Sequence, residues 1–398
     1  MVPVGPEVRV QLGEVRVIAT SEPGETRWGY HQYPALFRLP QGRIGLGFSH
    51  NDDATEAVGH ASPMFVSADE GKTWKRVYNH VAGYKPHPTV AEMSPGEFLS
   101  ISPVVAFNLK ATGLSLPPPV GYLGDEKGIS LHRYEDAPKP IQDYMRELPA
   151  YRWTPDLPAW KPETVIYDTR GRLIWKHTKS HLVGRTRIEH APAKLGGELF
   201  YGDYQGTYTT GDDTIPRHWP ATCMVSRDQG RSWTRRSTIA MDPTGDSYMT
   251  EPMIAVTSDG RLVCAIRGSA HDTDYTQGHR LVITFSSDRG RTWEPVRPLH
   301  KFGVFPCLLL LENGIMVCSF GRHGVHMKFS ADGTGRSWSK PTTLIPMGTS
   351  GNRNTCGYTS VLAVGPDEFL IAYSHFKHRD RHGRQRKAVL LRRVRVSR

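Results

Sequence analysis

One eight-residue signature, Ser-x-Asp-x-Gly-x-Thr/Ser-Trp, constrains this chain more than any other feature. It reads SADEGKTW from Ser67, SRDQGRSW from Ser226, SSDRGRTW from Ser286 and, with one extra residue, SADGTGRSW from Ser330. A motif that returns every several tens of residues marks stacked structural units, each too small to bury its own apolar face.

A quieter repeat sets the architecture. Six segments share the order apolar strand, Gly- or Asp-containing turn, apolar strand: YPALFRLPQGRIGLGFS, HPTVAEMSPGEFLSIS, HAPAKLGGELFYGDY, EPMIAVTSDGRLVCAIR, FPCLLLLENGIMVCSFG and YTSVLAVGPDEFLIAYS. Five begin with Pro beside the strand start, where a missing N–H does least damage. Asp-Gly and Asn-Gly turns favour hairpins because both residues tolerate positive φ. Pro34 to Pro88 and Pro252 to Pro306 each span 54 residues, and Pro192 to Pro252 spans 60, room for four strands with turns. Sheets of four strands repeated six times bury their faces when stacked radially. The expectation is therefore an all-β, six-bladed β-propeller of four-stranded antiparallel blades, a single domain over 1–398. The N-terminal strand at 8–20 would close the last blade. The 104 residues from Pro88 to Pro192 exceed one blade. They predict a long insertion at about 110–181, between blades 2 and 3, with a small hairpin at 165–177; a seventh, degenerate blade is the alternative. Each signature follows one strand and precedes another, which puts it in the turn between third and fourth strands. There Asp accepts backbone N–H bonds, Gly takes the left-handed conformation and Trp covers the gap between blades.

Composition narrows the function. Five cysteines without a CxxC spacing read as reduced, buried thiols, and no metal-ligand spacing occurs. No apolar stretch reaches the ~20 residues of a membrane span. The start shows no signal peptide, so a cytoplasmic location is expected unless a leader was removed. The net charge of +11 is concentrated from Lys377 to Arg398, with ten basic residues against one acid. That reads as a solvated strand and loop, so neither a nucleic-acid nor a membrane partner is expected.

Catalytic candidates come from topology. If first strands begin and second strands end on one face, the residues flanking the six hairpins converge there, away from the signatures. They are His31, Gln32 and the run from Ser49 to Asp53; His87; Glu189, His190, Asp203 and Tyr204; Glu251 and Arg267; Phe305, Arg322 and His323; Tyr358 and His375. A rim so rich in carboxylates, cations and phenols points to a ligand site.

These features resemble the sialidase (neuraminidase) superfamily. The signatures are similar to its Asp boxes and the hairpins to its six-bladed propeller, over nearly the whole chain. The resemblance implies Tyr358 of CGYTSVL as nucleophile, Glu251 of TEPMIAV as its proton acceptor, and Asp52 or Asp53 as acid/base, with Glu56 a further candidate. It also implies Arg267 of CAIRGS and Arg322 of SFGRHG as carboxylate ligands. Its first hairpin opens Tyr-Arg-Ile-Pro, whereas this chain reads HQYP, with Gln32 where the first arginine belongs. Gln offers a neutral amide in place of a charged fork. Charge-assisted bonds contribute ~1.5–3 kcal/mol against ~0.5–1.5 for neutral ones, so affinity for sialic acid should fall. His31 beside it is a substitute cation when protonated, and His87 and His190 complete the substrate-binding set. No cofactor is implied. The expected activity is exo-acting glycoside hydrolysis releasing a terminal acidic sugar, sialic acid-like or uronic, from a glycan. The alternatives are a polysaccharide lyase on uronic-acid polymers and a non-catalytic carbohydrate-binding propeller.

Overall fold

In the computed structural model, the apolar–turn–apolar segments are antiparallel strand pairs: Tyr30–Arg38 with Ile44–His50, Ala91–Ser94 with Glu97–Ile101, Ala193–Leu195 with Glu198–Asp203, Tyr248–Val256 with Leu262–Ser269, Val304–Leu310 with Met316–Gly321, and Thr359–Ala363 with Glu368–Arg379. The structure describes residues 8–53, 62–77, 90–101, 106–124, 128–185, 188–209, 213–242, 247–269, 279–348 and 353–398. Second strands such as Leu262–Ser269 are buried on both faces, which is why they read as continuous apolar runs rather than alternating ones.

Four sheets of four strands are seen among the described residues, spanning 30–77, 248–300, 304–345 and 359–397. The last takes its fourth strand from the N-terminus: Arg9–Thr20 pairs with Gln385–Ser397, Val10 opposite Val396. The remaining propeller strands form one eight-stranded sheet. It is two antiparallel sets of four, joined where Ile166 and Tyr167 run parallel to Ser232 and Trp233. Apolar clusters fill each junction between consecutive strand sets. Phe37, Met64 and Phe98 join the first set to the second, and Leu99, Val165, Tyr201 and Trp233 the second to the third. Phe200, Cys223, Ile254 and Cys264 follow, then Val263, Phe285 and Leu308, then Val317, Phe329, Phe369 and Ile371. Leu36, Leu46, Leu370 and Leu391 return to the start, so the circuit closes. This all-β arrangement is that of a propeller.

All four signatures lie between third and fourth strands, as at Ser286, between His279–Ser286 and Arg297–His300. Ser286 Oγ donates to Asp288 Oδ1 and accepts from Gly290 N–H, both at 2.8 Å. The Asp288 carboxylate accepts from the Thr292 N–H at 2.9 Å and the Thr292 hydroxyl at 2.6 Å. Gly290 has φ of +74°, and a Cβ there would sit 2.9 Å from Cys223 Sγ in the preceding strand set. Trp293 packs against that same junction.

Residues 102–192 depart from expectation. Glu147–Trp153 and Lys161–Tyr167, inside the predicted insertion, are strands of the eight-stranded sheet; Ala150 pairs with Ile101 and with Glu163. The expected hairpin at 165–177 is not formed, because Leu173–His177 pairs with Ile129–Arg133 instead. The additional structure is thus split to either side of 147–167. It carries a three-stranded sheet of Gly121–Leu123, Ile129–Arg133 and Leu173–His177, and two short helices, Leu109–Thr112 and Lys139–Arg146.

Candidate active site

Residues that precede Pro are pressed away from the helical region toward extended backbone. Three of them here do something rarer: Tyr33, Glu251 and Phe305 have φ of 52°, 52° and 46°. Each sits where the register between first and second strands slips, between Gln32 and Ala35, Thr250 and Met253, and Val304 and Cys307. Left-handed backbone at a non-glycine residue costs about 1–3 kcal/mol and persists where the surroundings over-determine it. Tyr358, just ahead of Thr359–Ala363, holds the corresponding position in the last sheet. These four side chains meet.

Glu251 is at the centre and is 3 % exposed. Its Oε1 accepts from Arg267 Nη1 at 2.8 Å and from the Tyr358 hydroxyl, and its Oε2 accepts from the Phe305 N–H at 2.7 Å. Arg267 also donates from Nε to Ser269 Oγ at 3.2 Å. Burial alone would raise the Glu251 pKa. The Arg267 and Arg322 cations, the Tyr358 hydroxyl and the Phe305 N–H outweigh it and hold the carboxyl below its usual range. Tyr358 moves the other way: burial, then the Glu251 charge, push its phenol well above 10. A neutral phenol therefore faces an anionic carboxylate.

Rings frame the pair. Phe305 stacks on Tyr358 at 4.4 Å between centroids and 13°, and Tyr33 meets Tyr358 edge-on at 4.7 Å. The Arg322 guanidinium lies 5.7 Å from the Tyr358 ring and 6.0 Å from that of Trp28. Two glycines bring Arg322 there: a Cβ on Gly357 would fall 2.1 Å from Arg322 N, and one on Gly321 would fall 2.2 Å from Gly357 O. The additional sheet braces the neighbouring wall. Trp175 Nε1 donates to Gln205 O at 3.0 Å and Gly124 N to Arg217 O at 2.9 Å. From that wall the Tyr204 hydroxyl donates to Glu189 Oε1 at 3.4 Å.

Glu251, Arg267, Arg322 and Tyr358, chosen from the sequence, are thus together. Asp53 joins them through Tyr33, whose hydroxyl donates to Asp53 Oδ2 at 2.7 Å; Trp28 Nε1 donates to the same oxygen at 3.0 Å. Asp52 is exposed and close enough to Arg27 to stabilise that cation. His190 packs on Phe305, at 4.4 Å between centroids; burial lowers its pKa to about 4 against the opposing pull of the Glu251 charge. His31 packs against Phe48 and His50, and burial, then His50, lower it to about 4, which removes it as a ready cation. Gln32 is fully buried, with neither amide atom hydrogen-bonded. His87 and Glu56 lie outside the described residues. Sequence reasoning missed Tyr33, although its place before Pro34 matches Glu251 before Pro252 and Phe305 before Pro306. Among the described residues no three His, Cys, Asp or Glu side chains gather as a metal site requires.

Residues 188–303 match the BNR repeat-like domain. No curated protein matches the chain in sequence. Among solved structures, a protein of unknown function from Dyadobacter fermentans superposes with a TM-score of 0.61 at 17 % identity, covering 98 % of this chain and 99 % of that one. An α-L-arabinanase from Penicillium chrysogenum, complexed with arabinobiose, gives 0.51 at 16 %, over 95 % and 98 %. A mutant of NanB sialidase from Streptococcus pneumoniae gives 0.52 at 12 %, over 94 % and 70 %. At such identities the likeness is one of fold. Residues 188–303 thus resemble a BNR repeat-like domain, and the chain shares its fold with these arabinanase and sialidase structures.

Proposed function

We propose that this protein is a glycoside hydrolase whose active site is the mouth of a six-bladed ring, the four separate sheets and the two halves of the eight-stranded sheet each serving as a blade. The observation that carries the reading is the Tyr358 hydroxyl donating to Glu251 Oε1 beside two arginines. A phenol, with an ordinary pKa near ~10, is a poor nucleophile until a carboxylate takes its proton. Tyr nucleophiles are an established departure from the two-carboxylate scheme. A neutral phenol suits a sugar that carries its own carboxylate at the anomeric centre, as a sialic acid does and a uronic acid does not, because an anionic nucleophile would be repelled.

The substrate class proposed is a terminal acidic sugar, sialic acid-like or uronic, with Arg322 and Arg267 facing its carboxylate. Tyr358 Oη bonds to the anomeric carbon while its proton passes to Glu251. The bond to the leaving oxygen breaks as an acid from the 49–53 stretch protonates that oxygen. Water then attacks the anomeric carbon and gives its proton to the same acid's conjugate base, and Tyr358 departs, taking its proton back from Glu251. The lyase reading has less support, since His190 is turned against Phe305.

The test is turnover of 4-methylumbelliferyl glycosides of N-acetylneuraminic acid, glucuronic acid and L-arabinofuranose. Hydrolysis of one of the first two by the wild type, falling on the order of 10³-fold or more in Tyr358→Phe, is expected. Selective turnover of the arabinofuranoside would keep the hydrolase and reject the acidic sugar. Saturable glycan binding without turnover would reject both.

A further inference from the structure

Tyr33 stands where a propeller hairpin presents its first residue to the centre, in register with Glu251 and Phe305. It touches two groups at once. Its ring edge meets Tyr358 at 4.7 Å, and its hydroxyl donates to Asp53 Oδ2 at 2.7 Å. Trp28 Nε1 takes the same oxygen at 3.0 Å, and the Trp28 ring lies edge-on to Tyr33 at 6.4 Å. Two donors converging on one carboxylate oxygen fix the plane of the group and leave Oδ1 as the oxygen not engaged by them. Among the described residues no such pair of donors meets Asp52, whose charge instead acts on Arg27.

We infer that Tyr33 is a positioning residue which, with Trp28, holds Asp53 beside Tyr358 so that Asp53, and not Asp52, is the acid/base of the reaction. This rests on the hydrolase reading above. In the first step Asp53 gives its Oδ1 proton to the leaving oxygen as the glycosidic bond breaks and the Tyr358–carbon bond forms. In the second it takes a proton from the attacking water. The backbone of Tyr33 is itself held, with φ of 52° in the strand slip. The Asp53 anchor is therefore part of the same rigid edge that carries the nucleophile's neighbour, rather than a loop side chain in search of a partner. The hydroxyl is what a residue of Ile type at this position would lack.

The experiment compares leaving groups. An acid is needed for a methyl glycoside, whose departing alkoxide is strongly basic, and hardly at all for a 4-nitrophenyl glycoside. Both are made on whichever sugar the wild type accepts. Tyr33→Phe keeps the ring and removes the donor. It should lower kcat/KM on the methyl glycoside about tenfold and leave the 4-nitrophenyl glycoside within about twofold. Asp53→Asn should show the same split more steeply, about 10²-fold or more, with azide restoring turnover of the activated substrate in Asp53→Ala. Asp52→Asn should show no split.

Equal losses on both substrates in Tyr33→Phe, or a split that follows Asp52, would overturn the inference while leaving the hydrolase intact. A wild type inactive on every glycoside would instead sink the hydrolase reading and this assignment with it. Trp28→Phe, which removes the second donor and keeps an aromatic ring, is the independent check and should give the same split in smaller measure.

Discussion

Tyr358 donates its hydroxyl to the same oxygen of Glu251 that receives Arg267 Nη1, across 107 positions of sequence. In the hydrolysis proposed above the carboxylate is the proton acceptor, and in the structure it is also one half of a buried ion pair. Those two duties separate by mutation. Glu251→Gln leaves Arg267 buried without its countercharge, and breaking such a pair costs about 3–5 kcal/mol. Tyr358→Phe removes one donor and keeps the pair, for about 1.5–3 kcal/mol at most. Urea midpoints at unchanged m-value would show Glu251→Gln as the less stable variant, with both variants inactive. A Tyr358→Phe midpoint at or below that of Glu251→Gln would contradict the arrangement.

Acid should loosen the fold in two stages. His31, His190 and His300 each have folded pKa values lowered from 6.5 to about 4, with burial as the leading cause. The unfolded chain therefore binds protons the folded one refuses, and stability falls as pH drops from about 6.5 toward 4. Glu251 has a depressed folded pKa, so its contribution is intact above the ordinary carboxylate value of 4.5 and is lost below it, as pH falls through the depressed one. Unfolding midpoints at pH 7, 5.5 and 4.5 would show the first stage. His190→Asn should flatten it. A midpoint constant from pH 7 to 4.5 would refute the burial of these imidazoles.

Much of this is legible in the sequence. The strand pairs follow from apolar runs interrupted by Asp-Gly and Asn-Gly, and the signatures stand between third and fourth strands because their Ser, Asp and Gly satisfy one another locally. Two things were not legible. Glu147–Trp153 joins Glu97–Ile101 from about fifty residues away, and a non-local pairing leaves no mark on its own segment. Prolines at 149, 155, 158 and 162 lack the N–H a ladder uses and so mask the strands there, yet Pro149 and Pro162 are accommodated within them. At the site, the family pattern drew attention to Gln32, while the slip at Tyr33–Pro34 gives the inward place to the next residue.

Gly357 should tolerate nothing larger. Its φ is +83°, and a Cβ there would fall 2.1 Å from Arg322 N, a backbone atom that cannot swing aside. Gly357→Ala forces apart the two chains that set Arg322 against Tyr358, at a cost of roughly 3 kcal/mol from overpacking and left-handed backbone together. Activity should fall as well as thermal midpoint. Gly24→Ala is the control for the conformation alone, because its φ is +77° with open space around it. Equal midpoints for the two variants would remove the steric argument.

The signatures predict the opposite split between stability and turnover. Asp288 collects backbone and side-chain donors from Arg291, Thr292 and Ser286; burial opposes its charge, but those bonds bring its pKa to about 2. Asp288→Ala leaves those donors to water and frees the turn that seats Trp293 on the junction with the preceding strand set. The turn closes the end of the sheet away from Glu251, since Arg267 and Leu262 lie at opposite ends of one strand and Leu262 pairs with Ser286. The expected outcome is a loss of about 1–2 kcal/mol, typical of a lost cap, measured by urea unfolding. Turnover at 25 °C should be unchanged once the folded fraction is matched. A drop in kcat at full folding would mean that the signature end communicates with the phenol, and the division of labour between the two ends of the sheets would have to be abandoned.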